Sequence, residues 1–165
     1  VEKFIFEYAK MTLDLEEKRE QSLISQSSRM LTAFSISTGV FFVIYKIVKD
    51  AGTVSDTYLN AVTVICMLLF VASMILALLV SWRFKYRALP SPKDMMKHIV
   101  DNKEYFLTSE QRDKSFAETI DDIWISKNKL NNYRARLASA SMIVYFTSIG
   151  IAVAAVIIVL IEKAL

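Results

Sequence analysis

The sequence predicts an all-α membrane protein, with three transmembrane helices and long cytosolic helical extensions that form a stalk. Two observations predict this class. Of the residues, 54% are hydrophobic, and they gather in three blocks instead of being dispersed along the chain. Only three Gly and two Pro occur in 165 residues, so helices must be long and loops few.

The three blocks are LTAFSISTGVFFVIYKIV (31–48), LNAVTVICMLLFVASMILALLVSW (59–82) and ASASMIVYFTSIGIAVAAVIIVLI (138–161). A helix needs about 20 residues to cross the hydrocarbon core. The second and third blocks contain no Asp, Glu, Lys or Arg and are long enough outright. The first is shorter and carries Lys46 near its end, where a lysine can snorkel to the interface. About thirty residues precede it and hold six acids, the wrong flank for a cleaved signal peptide. Cys66, the only cysteine, lies inside the second block, so an inert buried thiol is expected and no disulfide framework.

Charge sets the orientation. Residues 1–30 hold five Lys and Arg, and residues 83–137 hold twelve. With three crossings these two segments share one side, which then carries 17 of the 20 positive charges. Cytoplasmic loops carry the excess of Lys and Arg, so this side is expected to be cytoplasmic. The chain is thus expected to be a multi-pass protein of the cell inner membrane, its N-terminus cytoplasmic and its C-terminus outside. Four segments result: a cytosolic amphipathic helix (1–30), a transmembrane hairpin (31–82), a basic cytosolic elbow and long helix (83–137), and a third span (138–162).

The cytosolic parts read as helices. Phe4, Tyr8, Met11 and Leu15 step by four, three and four, an amphipathic pattern. Nothing between Val1 and Gly39 breaks a helix, which lets this segment run on into the first span. Phe116, Ile120, Ile123, Lys127, Leu130, Arg134 and Leu137 keep the same alternation in the long helix. Each extension reaches about 40 Å beyond the membrane at a rise of 1.5 Å per residue. Two such helices can pack side by side as a stalk, or each can lie on the bilayer surface. In the elbow, Ser91, Pro92 and Asp94 match an N-cap, a first-turn proline and a third-position acid, so a short helix ending by Asn102 is predicted. Thr108 or Ser109 caps the next helix.

Signals of catalysis are missing. His98 is the only histidine, and no second imidazole or thiol accompanies it to hold a metal. Gly39, Gly52 and Gly150 are isolated, which excludes a glycine-rich phosphate loop. Asp121 and Asp122 are adjacent and point about 100° apart on a helix, as a solvated acidic face would. No enzyme activity, metal or cofactor is expected. The cluster WRFKYR (82–87) reads either as an interfacial anchor or as an anion site, with Arg83, Lys85 and Arg87 joined by Lys93 and Lys97.

Hydroxyls crowd the first span. In SQSSRMLTAFSISTG, Ser25, Ser28, Thr32, Ser35 and Gly39 step by three and four and form one helical stripe, with Phe42 continuing the face. Small residues recur in the third span at Ala138, Ser141, Tyr145, Ser148, Ala152 and Ala155. Ser73 with Ala77, and Gly150 with Ala154, add small-xxx-small pairs. Such faces let membrane helices approach closely. Three helices alone leave little room for an aqueous path, so any pore requires several protomers around it.

The charged N-terminal helix running through a Ser-rich junction (EKREQSLISQSSRMLTAFSISTGVFFVIY), the tight hairpin of spans and the basic cytosolic segment resemble the SLATT-type effectors, the Hailong-type channel effectors among them. A third span departs from the plainest two-span layout of that family. The resemblance implies a small pore-forming membrane protein of a bacterial anti-phage system. It also implies a nucleotide or oligonucleotide ligand and a cytosolic nucleotidyltransferase partner.

Two functions are therefore weighed. One is a homo-oligomeric channel gated from the cytosolic side, with Ser28, Thr32, Ser35 and Gly39 lining the path and Phe42 forming an apolar constriction. Arg83, Lys85, Arg87, Lys93 and Lys97 would bind the ligand. The other is a non-conducting membrane scaffold or regulatory subunit that recruits a cytosolic partner, in which the same stripe is packing surface.

Overall fold

The structure, a computed structural model, describes residues 2–50, 56–82, 97, 100, 101 and 108–164; of these, side chains are described for 6–50, 57–82, 97, 100, 101 and 108–161. Three long helices make up nearly all of this: α1 (Glu2–Asp50), α2 (Asp56–Ser81) and α3 (Ser109–Ala164). Among the described residues there is no strand. Each helix contains a stretch long and apolar enough to cross a membrane. With no interior Pro in any of them, α1 and α3 run unbroken for 49 and 56 residues, past Gly39 and Gly150.

The start of α3 is fixed by a capping box. The Gln111 backbone N–H donates to Thr108 Oγ1 at 3.2 Å, and the Thr108 N–H donates to Gln111 Oε1 at 3.4 Å. Thr108 is therefore the cap, and two donors that the helix leaves unpaired are satisfied reciprocally. Lys97, Val100 and Asp101 are helical. Ser91, Pro92, Asp94 and Asn102, which delimit the predicted short helix, lie outside the described residues.

By contact the chain divides into two units, Val1–Ser22 with Arg83–Tyr133 and Leu23–Trp82 with Arg134–Leu165. In the first unit, the early part of α1 packs on the early part of α3. Phe6 meets Phe116 with ring centroids 6.4 Å apart, and Arg19 reaches Asn128 and Asn132, so the two segments run parallel. Leu13, Ile120 and Ile123 form the buried cluster, flanked by Phe6 and Ala9.

The face that α1 buries here differs from the predicted one. Tyr8, Met11 and Leu15 are more than half exposed, whereas Phe6, Ala9 and Leu13 turn inward. Phe4 lies outside the described side chains. Both stripes have helical spacing, and their continuations along the helix separate them. Stepping on from Leu13 by three and four gives Glu16 and Glu20, and Glu16 and its neighbour Glu17 bond to groups on α3. Stepping on from Leu15 gives Lys18, which is exposed. In α3 the predicted stripe is the packed one: Ile120, Ile123, Lys127 and Arg134 are buried, and Phe116, Leu130 and Leu137 half-buried.

In the second unit, the later part of α1, all of α2 and the later part of α3 form a three-helix bundle. Met30, Phe34 and Ala77 make its buried cluster, with Leu31, Met142 and Tyr145 against it. Aromatic contacts continue this core. Phe34 lies 4.5 Å from Tyr145, Phe70 lies 5.9 Å from Tyr145, and Phe41 meets Phe70 edge-on at 5.9 Å. These tilted and edge geometries avoid the face-to-face sandwich that aromatic quadrupoles disfavour. Only 11%, 22% and 17% of the most apolar stretches of α1, α2 and α3 are buried. The outward apolar surface is so large that lipid or neighbouring chains must cover it.

Replacing Thr108 with Ala removes the cap and is expected to cost about 1 kcal/mol locally, roughly a fivefold rise in amide exchange over the first turn of α3. Unchanged exchange at residues 109–112 would show that the cap is dispensable.

Candidate functional site

The buried polar groups of the second unit lie on the seam between α2 and α3. Ser73 Oγ donates to the Ser141 carbonyl and Ser141 Oγ to the Ser73 carbonyl, both at 2.8 Å. Seven residues away on each helix the pattern repeats. Ser148 Oγ donates to the Cys66 carbonyl at 3.1 Å, and the Cys66 thiol points at the Ser148 carbonyl at 3.7 Å. Leu59 and Ala155 are also buried, one further seven-residue step along each helix. A seven-residue repeat keeps one seam facing its partner, and small side chains there let the backbones approach. The predicted small-residue face of the third span is this seam: Ala138, Ser141, Ser148 and Ala155 are buried, and Tyr145 and Ala152 half-buried. Ser73 faces it from α2 and Ala77 is buried with Met30 and Phe34 of α1, while Gly150 and Ala154 are exposed.

Helix α1 joins the pair through Ser27. Its hydroxyl donates to the Ala77 carbonyl and accepts from Ser81 Oγ at 3.0 Å. Ser37 and the Tyr145 hydroxyl are hydrogen-bonded to each other. Arg134, buried to 2% exposure, donates through Nη2 to the Trp82 carbonyl at 3.1 Å. A cation at the C-terminal end of α2 answers the carbonyls that this helix leaves unpaired there. The buried hydroxyls of the bundle are thus engaged on carbonyls or on one another.

The hydroxyl stripe of α1 has a different place. Ser28, Thr32, Ser35, Gly39 and Phe42 are all exposed, on the side of α1 turned away from α2 and α3. Thr32 Oγ1 donates to the Ser28 carbonyl at 3.2 Å and Ser35 Oγ to the Leu31 carbonyl at 3.0 Å. Such back-bonding satisfies the hydroxyl protons within the helix and leaves the oxygens facing outward. A Cβ at Gly39 would meet nothing within 4 Å, so no contact inside the protomer requires a glycine there.

A second polar constellation occupies the first unit. Lys127, at 4% exposure, donates to Glu17 Oε1 at 3.0 Å and lies 3.6 Å from Glu20 Oε2. Asn131 Nδ2, equally enclosed, donates to the Glu16 carbonyl at 2.9 Å and to Glu16 Oε2 at 2.8 Å. Arg19 donates to Asn132 Oδ1 at 2.8 Å and to Asn128 Oδ1 at 3.3 Å, and pairs with Glu16 at 3.5 Å. These groups bond one another across two parallel helices and so fix their register, as buried polar residues do at helix interfaces. Sequence reading placed Lys127 on the stripe but missed its acids. The step of three and four from Leu13 to Glu16 and Glu20 signals one of them, Glu20, together with the partner of Asn131; Glu17 lies beside that stripe.

Of the predicted ligand-binding cations, Lys97 is helical and exposed. Arg83, Lys85, Arg87 and Lys93 lie outside the described residues. Among the described residues, no group of three or more His, Cys, Asp or Glu is arranged to hold a metal ion. No known protein family matches the chain, and neither a curated protein nor a solved structure matches it.

The ion cluster is asymmetric, which gives a test. Neutralising both acids (E17Q/E20Q) takes two anions from beside a buried ammonium and is expected to cost about 3 kcal/mol. Glu17 is half exposed, so K127M leaves it an acid that water can solvate; the expected loss is about 1 kcal/mol. Hydrogen exchange over residues 6–20 measures both. The triple variant E17Q/E20Q/K127M should recover most of the loss, and an equally weakened triple variant would refute the coupling.

Proposed function

We propose that this chain is a homo-oligomeric membrane channel or pore-forming effector, in which the Ser28, Thr32, Ser35 and Gly39 face of α1 borders a path between protomers. The observation that carries the reading is the sorting of the hydroxyls. Those inside the protomer are engaged on its own seam, while a second, outward stripe serves nothing within it. One bundle has no lumen to offer, so the path runs between copies. Phe42 continues the face outward as an apolar constriction that closes by dewetting. No acidic ring lies on the stripe, and selectivity among ions is accordingly weak.

The excess of Lys and Arg in residues 1–30 and 83–137 supports an orientation with both segments on the cytoplasmic side of the inner membrane and the pairing of α1 and α3 as the stalk. Gating then comes from the cytosolic side, through a nucleotide or oligonucleotide held by Arg83, Lys85, Arg87, Lys93 and Lys97. The layout resemblance to the SLATT-type effectors is what assigns that ligand, a nucleotidyltransferase partner and a role in anti-phage defence. A non-conducting scaffold is the second reading. It is favoured by the back-bonding of Thr32 and Ser35, which leaves their hydroxyl protons no need of water.

Ser35→Leu separates the two. In liposomes it should cut ion flux severalfold while leaving the assembled mass unchanged, because Ser35 is exposed and its hydroxyl bonds within α1. Undiminished flux would remove this face from the path. A monomeric detergent species that conducts under no condition, with or without nucleotides, would leave the scaffold.

A further inference from the structure

Toward the C-terminal end of α1, an apolar cleft of about 340 Å³ lies between the second-unit helices. Val40 and Ile44 of α1, Val62 of α2, and Ala152 and Val156 of α3 line it. Tyr45 also lines it and is polar at its far end. Its hydroxyl donates to Asn60 Oδ1 at 3.1 Å, and the Lys49 ammonium lies 6.0 Å from its ring centroid. The cleft is therefore apolar in its body and carries a cation on one of its lining residues.

We propose that this cleft holds one acyl chain of an anionic phospholipid, whose phosphate meets Lys49. Charge favours this occupant over a helix of a second copy: none of the three apolar blocks (31–48, 59–82 and 138–161) offers an Asp or Glu to Lys49, whereas a headgroup brings a phosphate. Apolar cavities of this size with a few polar groups at one end are the usual form of small-molecule sites. Lys49 lies in the last turn of α1, where a membrane-spanning helix meets the headgroups. Tyr45 joins the two parts of the site, since it lines the cleft and carries the lysine. The inference rests on the chain spanning a membrane and is independent of whether it conducts.

The test is native mass spectrometry of the full chain released from membranes of mixed phosphatidylglycerol and phosphatidylcholine. One retained phospholipid per chain is expected, with phosphatidylglycerol favoured about fivefold, the effect of one lysine at an anionic headgroup. Ala152→Phe fills the cleft and should abolish the adduct, and Ile44→Trp at its half-exposed edge does the same should the first variant fail to fold. Lys49→Gln should keep the adduct and lose the headgroup preference. Absence of a retained lipid in the wild type would overturn the proposal, as would full retention in both filling variants. A dimer mass that Ala152→Phe disperses would instead identify a second copy as the occupant and overturn it equally.

Discussion

The second unit depends on the reciprocal hydroxyl-to-carbonyl bonds between α2 and α3. In a bilayer core no water can satisfy a stray polar group, so each buried hydroxyl must find an acceptor within protein. Ser73 and Ser141 do this for each other through their backbones, and Ser148 and Cys66 repeat the arrangement seven residues on. Each such bond contributes only about 0.6 kcal/mol in a membrane. Their larger effect is geometric: a bond from a serine side chain to the facing carbonyl forms only where the backbones come close. That approach sets the small-residue seam, and Ser27 and Phe34 of α1 then pack on the face beside it.

Polar residues thus do two kinds of work in this chain. In the first unit, charges and amides fix the register of two parallel helices, with Lys127 held by Glu17 and Glu20 and Asn131 by Glu16. In the second, hydroxyls serve the seam between α2 and α3, and the buried cation Arg134 is placed at the end of α2, on the Trp82 carbonyl. The buried heptad positions of α3 record the change of chemistry: Ile120, Lys127, Arg134, Ser141, Ser148 and Ala155. Ser28, Thr32 and Ser35 of α1 join neither set and face outward.

Much of this was legible in the sequence. The three apolar blocks, the scarcity of Gly and Pro and the cap at Thr108 or Ser109 gave three long helices with nearly the right starts. The Ala138–Ser141–Ser148–Ala155 stripe was readable because small residues at helical spacing have a direct meaning in lipid. The N-terminal face was misread because Tyr8, Met11 and Leu15 look as apolar as Phe6, Ala9 and Leu13. Periodicity alone does not choose between two such stripes; the choice lies in the Glu16 and Glu20 continuation, which has meaning only opposite Lys127 and Asn131. The outward direction of Ser28, Thr32 and Ser35 was equally invisible, since spacing defines a face and not what it meets.

The central claim is that this outward face borders water in an assembly of copies. Cysteine scanning along α1 in a Cys66→Ala background, using a membrane-impermeant thiol reagent on reconstituted protein, tests it most directly. A thiol reacts only where water lets it ionise. Cysteines at Ser28, Thr32, Ser35 and Gly39 should react, with a period of three to four, while those at Ile36, Val43 and Ile47 stay inert. If all seven positions resist the reagent, or react alike, no aqueous path runs along α1.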